Sequence, residues 1–349
     1  MLNKSEKKKQ MIRRSQISIS ESNKGKIESL DLIFKESKRV INLYINELWK
    51  KKDFSSKFVD FKVESWLSAR MLQNLGKQSL QIVKSQRKKK HRHKPVFKRD
   101  SIDLDSRFLD IQFDGNCFDV WFKLTSIGNK ISLKLPGKLH KHANKYNKWN
   151  LKNSCRLRKV DKKYFIDIFF EKDAPDLKTK GKNVGVDIGY KKLIVTSENK
   201  KYDSGLEEVY EKISRKKQGS KGFKRTLRER DNKINESINK MPLPKIKALV
   251  VEDLKNVKHK SKGKIRKKFN NKLQRWSYSK VLSMLSLRCE ELGILFKKVH
   301  PAYTSQKCCS CGFTHKNNRH GEKFLCLDCG KSLDADYNAS LNILALGCL

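Results

Sequence analysis

The chain has 349 residues, more than the roughly 100–200 of an ordinary domain, so two or three compact units are expected. Its 81 lysines and arginines against 37 acids give a formal net charge of +44, a self-repelling surface that calls for a polyanion, and nucleic acid is the expected partner. No apolar stretch follows the basic start MLNKSEKKKQMIRR, and no run of about 18 apolar residues occurs anywhere, which argues against a signal peptide or a membrane partner and for a cytoplasmic, nucleoid-associated protein.

Residues 15–22, QISISESN, space Ile17 and Ile19 two apart and predict a strand. Ile27, Leu30, Phe34, Ile41, Ile45 and Leu48 recur at helical spacing and predict a helix over 25–52. A second helix, over 66–86, runs into the charge block Arg87-Lys88-Lys89-Lys90-His91-Arg92-His93-Lys94, closed by Pro95. From about 96 to 172 the apolar period falls to two, through Leu109, Ile111 and Phe113, then Phe118, Val120 and Phe122, then Ile131, Leu133 and Leu135, and finally Tyr164, Ile166, Ile168 and Phe170. Turn chemistry at Asp114-Gly115-Asn116 and Gly128-Asn129 separates these runs, so the segment reads as an antiparallel sheet, a small barrel into which the two helices are inserted.

A linker over 174–182 precedes VGVDIGYKKLIVTS, two β-rich runs around Gly189. One long polar helix is expected over about 206–239, ended by Pro242 and Pro244; residues 245–251 then form a buried strand leading into Glu252. Dense positive charge returns at 258–268, followed by a helix over 276–292, a strand over 294–299, the cysteine cluster, and a last helix over 335–346.

Five of the nine cysteines crowd into positions 308–329, a distribution that suits metal ligation in a reducing compartment better than disulfides. Cys308-x-x-Cys311 and Cys326-x-x-Cys329, fourteen residues apart and each followed by a glycine (Gly312, Gly330), predict two knuckles closing a tetrahedral S4 zinc site. Cys309 is then the spare thiol, with Cys308 its rival for the ligand place, and His315 and His320 are solvated loop residues. Asp187 and Glu252 each interrupt or end an apolar strand, where a buried charge costs several kcal/mol unless a cation or hydrogen bonds compensate it. Asp336 begins the last helix. Singly, such acids are more often helix caps or loop acids; together, three of them at strand and helix ends suit two Mg2+ ions about 4 Å apart, a nuclease arrangement.

VGVDIG, ALVVEDL, VHPAYTSQKCCSCG, CLDCG and DADYNASLNIL together resemble the TnpB (OrfB) family of transposon-associated RNA-guided DNA endonucleases, relatives of compact type V CRISPR effectors. The motifs span about 184–346; the first half is similar in layout only. The resemblance implies an α/β multidomain protein: an oligonucleotide-binding β-barrel (wedge) at 1–23 and 95–175, a helical recognition insertion at 24–94, a RuvC-like, RNase H-like nuclease domain at 180–306 and 331–349, and a zinc-binding insertion at 307–330. It implies Asp187, Glu252 and Asp336 as the Mg2+-binding catalytic acids, with Asp334 the rival for the third place and Asp253 a weaker rival for the second. It also implies a structured guide RNA, a DNA target marked by a short adjacent motif, and one or two subunits per guide. A nuclease-inactive guided DNA binder and a zinc-ribbon RNA-binding transposition accessory protein are the readings from other classes.

The basic blocks at 7–14, 87–94 and 258–268 fit either solvated faces or phosphate contacts, and three of them on so cationic a chain favour phosphate. The expected contacts are Arg87, Lys88, Lys89, Lys90, Arg92, Lys94, Lys262, Lys264, Arg266, Lys267 and Lys268. Trp66, Phe97 and Trp276, near these blocks, suit core packing first and base stacking second.

Overall fold

The computed structural model describes residues 9–51, 59, 61–113, 117–203, 205–255 and 266–348. The chain divides into two units, Met1–Asp173 and Ala174–Leu349.

In the first unit, β1 (Gln10–Ser18), β7 (Lys163–Asp173), β6 (Asn150–Val160) and β2 (Asp100–Leu104) form one antiparallel sheet in that order, and β3 (Leu109–Phe113), β4 (Val120–Thr125) and β5 (Ser132–Gly137) form a second. Helices α1 (Lys24–Lys50) and α2 (Ala69–Arg87) enter between β1 and β2, and all of these elements share one core that includes Ile17, Leu30, Ile41, Leu75, Phe122 and Ile166. A short α3 (Lys141–Asn144) lies between β5 and β6. Asn23 and Ser68 cap the two long helices, accepting from the backbone N–H of Lys26 and Met71, so α2 starts later than the apolar spacing alone suggests. β1 begins at Gln10, well before residue 15, and buries Arg13 and Ser15 on the same face as Met11 and Ile17. Polar pairing disguises these strands: Arg14 and Arg158 both reach the fully buried Asp167, and Arg156 pairs with Asp103. Of the N-terminal basic block, Arg13 is thus buried in the unit, while Arg14 stays exposed with its guanidinium reaching Asp167.

The second unit is built on a five-stranded sheet, β10 (Lys201–Tyr202), β9 (Ile194–Thr196), β8 (Lys182–Asp187), β11 (Ile246–Glu252) and β12 (Leu295–Val299) in that order. β8, β11 and β12 run parallel, while β9 and β10 are antiparallel additions on the far side of β8. The expected single helix over 206–239 is instead two, α4 (Leu206–Ser214) and α5 (Lys221–Asn239). Gly219 adopts a left-handed φ of 83° and Ser220 caps α5 through the N–H of Phe223, so the chain reverses there, and a Lys212–Glu229 pair at 3.0 Å links the two helices. Sequence periodicity does not register this break because both halves present apolar residues at helical spacing.

Helices α6 (Lys267–Arg275) and α7 (Tyr278–Leu292) follow β11. Val184, Val186, Leu249 and Val251 face a core shared with α4, α5 and α7, whereas Val250 and Val299 face the last helix, α8 (Ala335–Cys348). Between β12 and α8 the chain forms a small three-stranded sheet, β13 (Arg319–His320), β14 (Lys323–Leu325) and β15 (Ser332–Asp334).

α8 lies unusually close to the sheet. A Cβ at Gly185 would overlap the carbonyl oxygen of Ser340 and stand 2.7 Å from the Leu344 nitrogen, backbone atoms that cannot swing away. Gly185→Ala is expected to lower the unfolding free energy by about 1–3 kcal/mol, the usual range for overpacking. Thermal unfolding followed by circular dichroism checks this, with Gly25→Ala, whose Cβ would meet open space at the start of α1, as the unaffected control.

Candidate functional site

Asp187 is the last residue of β8 and Glu252 the last of β11, and the parallel register sets Val186 beside Val251, so the two acids emerge side by side at the same end of the sheet. The close rest of α8 on Gly185 carries Asp336, in the helix's first turn, toward them. All three carboxylates line one cavity of about 1060 Å³, together with Tyr190, Lys192, Trp276, Thr304 and Arg319. Asp334 and Asp253, the rivals, do not line it. Asp334 accepts from the N–H groups of Asp336 and Tyr337 at 3.0 and 3.2 Å and pairs with Lys192 and Lys201, so it caps α8, and these partners hold its carboxyl far below the usual range. The backbone N–H of Asp253 donates to Val299.

Burial drives the Asp187 carboxyl up to about 7, the negative charges of Glu252 and Asp336 add to the effect, and Arg319 opposes it. Burial also raises Glu252, against a hydrogen bond from Thr304. Two cations answer this crowding: Arg319 donates to Asp336 at 2.8 Å, and Lys192 lies 3.7 Å from the other Asp336 oxygen. The indole N–H of Trp276 donates to the Gly189 carbonyl at 2.9 Å, fixing the turn that follows Asp187.

The four knuckle cysteines are gathered as expected, with every Sγ within 4.8 Å of the others. Among the described residues no other group of acids, histidines and cysteines is this tightly drawn together. Cys308–Cys329 and Cys311–Cys326 stand 3.7 and 3.5 Å apart. A tetrahedral S4 site with zinc–sulfur bonds of about 2.3 Å has edges of about 3.8 Å, so the cluster fits zinc. Gly312 and Gly330, at φ 81° and 69°, donate back to the carbonyls of Cys308 and Cys326 at 3.1 Å and turn each knuckle. Cys309 is turned out of the group, its N–H held by Asn338 at 3.0 Å, and neither His315 nor His320 joins it.

Residues 278–343, running from α7 through the cysteine cluster into α8, match a family model described as the Cas12f1-like TNB domain. Over 72 residues, 20% of the chain, the sequence is 43% identical to the CRISPR-associated endodeoxyribonuclease Cas12f1 of Sulfoacidibacillus thermotolerans. Over 193 residues it is 26% identical to a TnpB-like protein of Methanocaldococcus jannaschii, covering 53% of this chain and 66% of that one. The chain is thus similar to TnpB-like proteins and to Cas12f1 endodeoxyribonucleases. A cryo-EM structure of a Cas12f1–sgRNA–target DNA complex shares the fold over 93% of this chain and 83% of the other, at a TM-score of 0.58 and 16% identity. The aligned segments span 17, 20 and 44% of three Cas12f1 relatives, less than half of each.

The basic residues singled out in the sequence divide sharply. Lys88, Lys89, Lys90, Arg92 and Lys94 are exposed. Arg87 is instead folded back on the C-terminal end of α1, donating to the carbonyls of Trp49 and Lys51 at 2.9 and 2.6 Å with its guanidinium over the Trp49 ring. Arg266 is exposed and lines the cavity. Lys262 and Lys264 lie outside the described residues, and Lys267 and Lys268 are described by their backbone alone, in α6. Sequence reasoning did not single out Lys192, Thr304 or Arg319, which meet the acids only through the fold; Lys192 and Thr304 stand in quoted motif stretches, but nothing local marks them as partners of an acid.

Two measurements check this geometry. Metal analysis of the purified chain is expected to give one zinc per chain, kept in Cys309→Ser and lost in Cys326→Ser. The unfolded Asp187 carboxyl titrates near 3.8 and the folded one near 7, so the folded state holds the extra proton between these values. The stability tied to that proton is fully present below pH 3.8 and is lost as pH rises through 7. In EDTA, Asp187→Asn is therefore expected to be more stable than the unsubstituted chain at pH 8, by on the order of 2 kcal/mol in chemical denaturation, with the difference fading toward pH 4.

Proposed function

We propose that the chain is an RNA-guided DNA endonuclease whose second unit is a RuvC-type, RNase H-like nuclease domain. The observation that carries this is the convergence of Asp187, Glu252 and Asp336 on one cavity at the end of a mixed sheet. The strand order, three antiparallel strands continued by two parallel ones, supports it, as do the relatives named endodeoxyribonucleases. In this reading 180–306 and 331–349 form the nuclease domain, 307–330 the zinc-binding insertion, 1–23 and 95–175 the wedge barrel, and 24–94 the recognition insertion. The zinc is structural.

The donor set suits Mg2+: three hard carboxylate oxygens, crowded enough that burial and mutual repulsion push one of them up to about 7, are the ligands that a divalent cation stabilises. Two Mg2+ ions bound there would supply Lewis-acid charge on both sides of a phosphodiester. The chain's own side chains do the rest. Lys192 and Arg319 provide fixed positive charge where the phosphate's charge develops. Tyr190, Leu254 and Trp276 offer an apolar wall on which bases of the unpaired strand pack. Water adds to phosphorus, the bond to one sugar oxygen breaks, and that oxygen leaves with a proton.

Guide RNA and target DNA occupy the basic surface, with base pairing reading the sequence and the protein reading a short adjacent motif. Lys88, Lys89, Lys90, Arg92, Lys94 and Arg266 are the phosphate contacts in this reading; Arg87, engaged with α1, supports the fold. The test is to sequence the RNA that copurifies and then offer the complex a matched DNA with Mg2+ or EDTA. The expected outcome is one defined RNA and Mg2+-dependent cutting that falls at least about 1000-fold in Asp187→Ala, an electrostatic-site loss, while target binding persists. Unchanged cutting in Asp187→Ala overturns the site; a defined RNA with no cutting points to a guided DNA binder, and heterogeneous RNA to an accessory RNA-binding protein.

A further inference from the structure

Glu252 ends β11 partly buried, with its carboxylate in the cavity wall. The partner comes from the zinc-bearing segment. The Thr304 hydroxyl donates to Glu252 Oε1, and Thr304 itself is buried. That hydroxyl also lies 3.2 Å from the Pro301 carbonyl, but of the two acceptors the carboxylate is the stronger.

The path from Thr304 to the thiolates is short and fully tied. Asn342 on α8 donates to the Thr304 carbonyl at 2.9 Å and to the Lys307 carbonyl at 2.7 Å. Asn338, one turn earlier on the same face, donates to Lys307 at 2.8 Å and accepts from Cys309. The N–H groups of Gln306 and Lys307 both return to the Tyr303 carbonyl at 2.9 Å, and Tyr303 holds a left-handed φ of 63° to make the turn. Cys308, the first residue of the zinc group, follows directly.

We propose that Thr304 is a positioning residue that orients Glu252 for cation binding, and that the zinc knuckle, through segment 303–309 and the two α8 asparagines, is the anchor that holds Thr304 in place. The proposal rests on Glu252 being a metal-binding acid. In this arrangement zinc acts on the cavity mechanically, by fixing the rotamer of a carboxylate that it never touches, as outer partners of metal ligands do elsewhere.

The experiment uses the full chain with its copurified RNA, in two readouts. The first replaces Mg2+ with Fe2+ and, with ascorbate and peroxide, maps backbone scission around residues 187 and 252 by mass spectrometry. The second measures the Mg2+ concentration that half-saturates DNA cutting. Thr304→Val keeps the shape and removes the hydroxyl; it is expected to weaken local scission and to raise the half-saturating Mg2+ about 10-fold or more, the usual consequence of losing such a partner. Zinc content and melting temperature are expected to stay unchanged, and Thr304→Ser to restore both readouts. Cys326→Ser is expected to reproduce the Mg2+ defect, which distinguishes anchorage from local hydrogen bonding. If Thr304→Val melts early, Thr304→Ala with the serine rescue gives the same comparison. Unsubstituted scission and Mg2+ titration in the threonine variant, or a serine variant as defective as valine, overturns the proposal. Absence of scission and of cutting in the unsubstituted chain overturns instead the reading of Glu252 on which it rests.

Discussion

Three carboxylates drawn into one partly desolvated cavity repel each other, and most of the second unit is arranged around that repulsion. Two neighbouring parallel strands end in acids, a packing choice that hydrophobic burial alone would never favour. The surroundings then offset the charge in graded ways. Arg319 and Lys192 neutralise Asp336, Thr304 satisfies Glu252, and Asp187 bears the remaining strain as an elevated proton affinity. Each compensating group comes from a different element, so the electrostatic balance of the cavity depends on the sheet, the small zinc-bearing sheet and α8 holding register together.

The last helix is the joint of this assembly. Gly185 lets its backbone rest on β8, and Gly347 stands so close to Val250 that a side chain there would collide with it. Its polar face does separate work: Asp336 looks into the cavity, and Asn338 and Asn342 grip the segment that ends in the first zinc knuckle. Both asparagines are buried, and each finds backbone partners, which is what makes a polar stripe tolerable at such depth.

Much of this was legible in the sequence, and the reason lies in how local each signal is. A pair of Cys-x-x-Cys-Gly knuckles carries its geometry in a few adjacent residues, so the cluster and the outward turn of Cys309 could be anticipated. Acids ending apolar runs announce themselves in the same way. The break at Gly219 between α4 and α5 was not anticipated, because apolar spacing continues through it and only the packing of the two helices on one another demands a reversal. β6 and the start of β1 were hidden by arginines whose carboxylate partners lie on other strands. Arg87 illustrates the limit of counting charge: a residue in a block of solvent-facing cations caps a helix end instead. Thr304, Lys192 and Arg319 stand far in sequence from the acids they touch, so no window of neighbouring residues contains both partners.

That separation has a consequence for the folding chain. The acids come from positions 187, 252 and 336, one on each of three elements, and the last of them reaches the cavity only after α8 has docked on Gly185. Contacts between such distant positions carry a large loop-closure cost and form late, with the cooperative closing of the domain. A partly folded chain therefore exposes a cationic surface but no assembled cluster of carboxylates. The carboxylate cluster is therefore a property of the closed domain, whereas the positive charge is a property of the sequence at every stage.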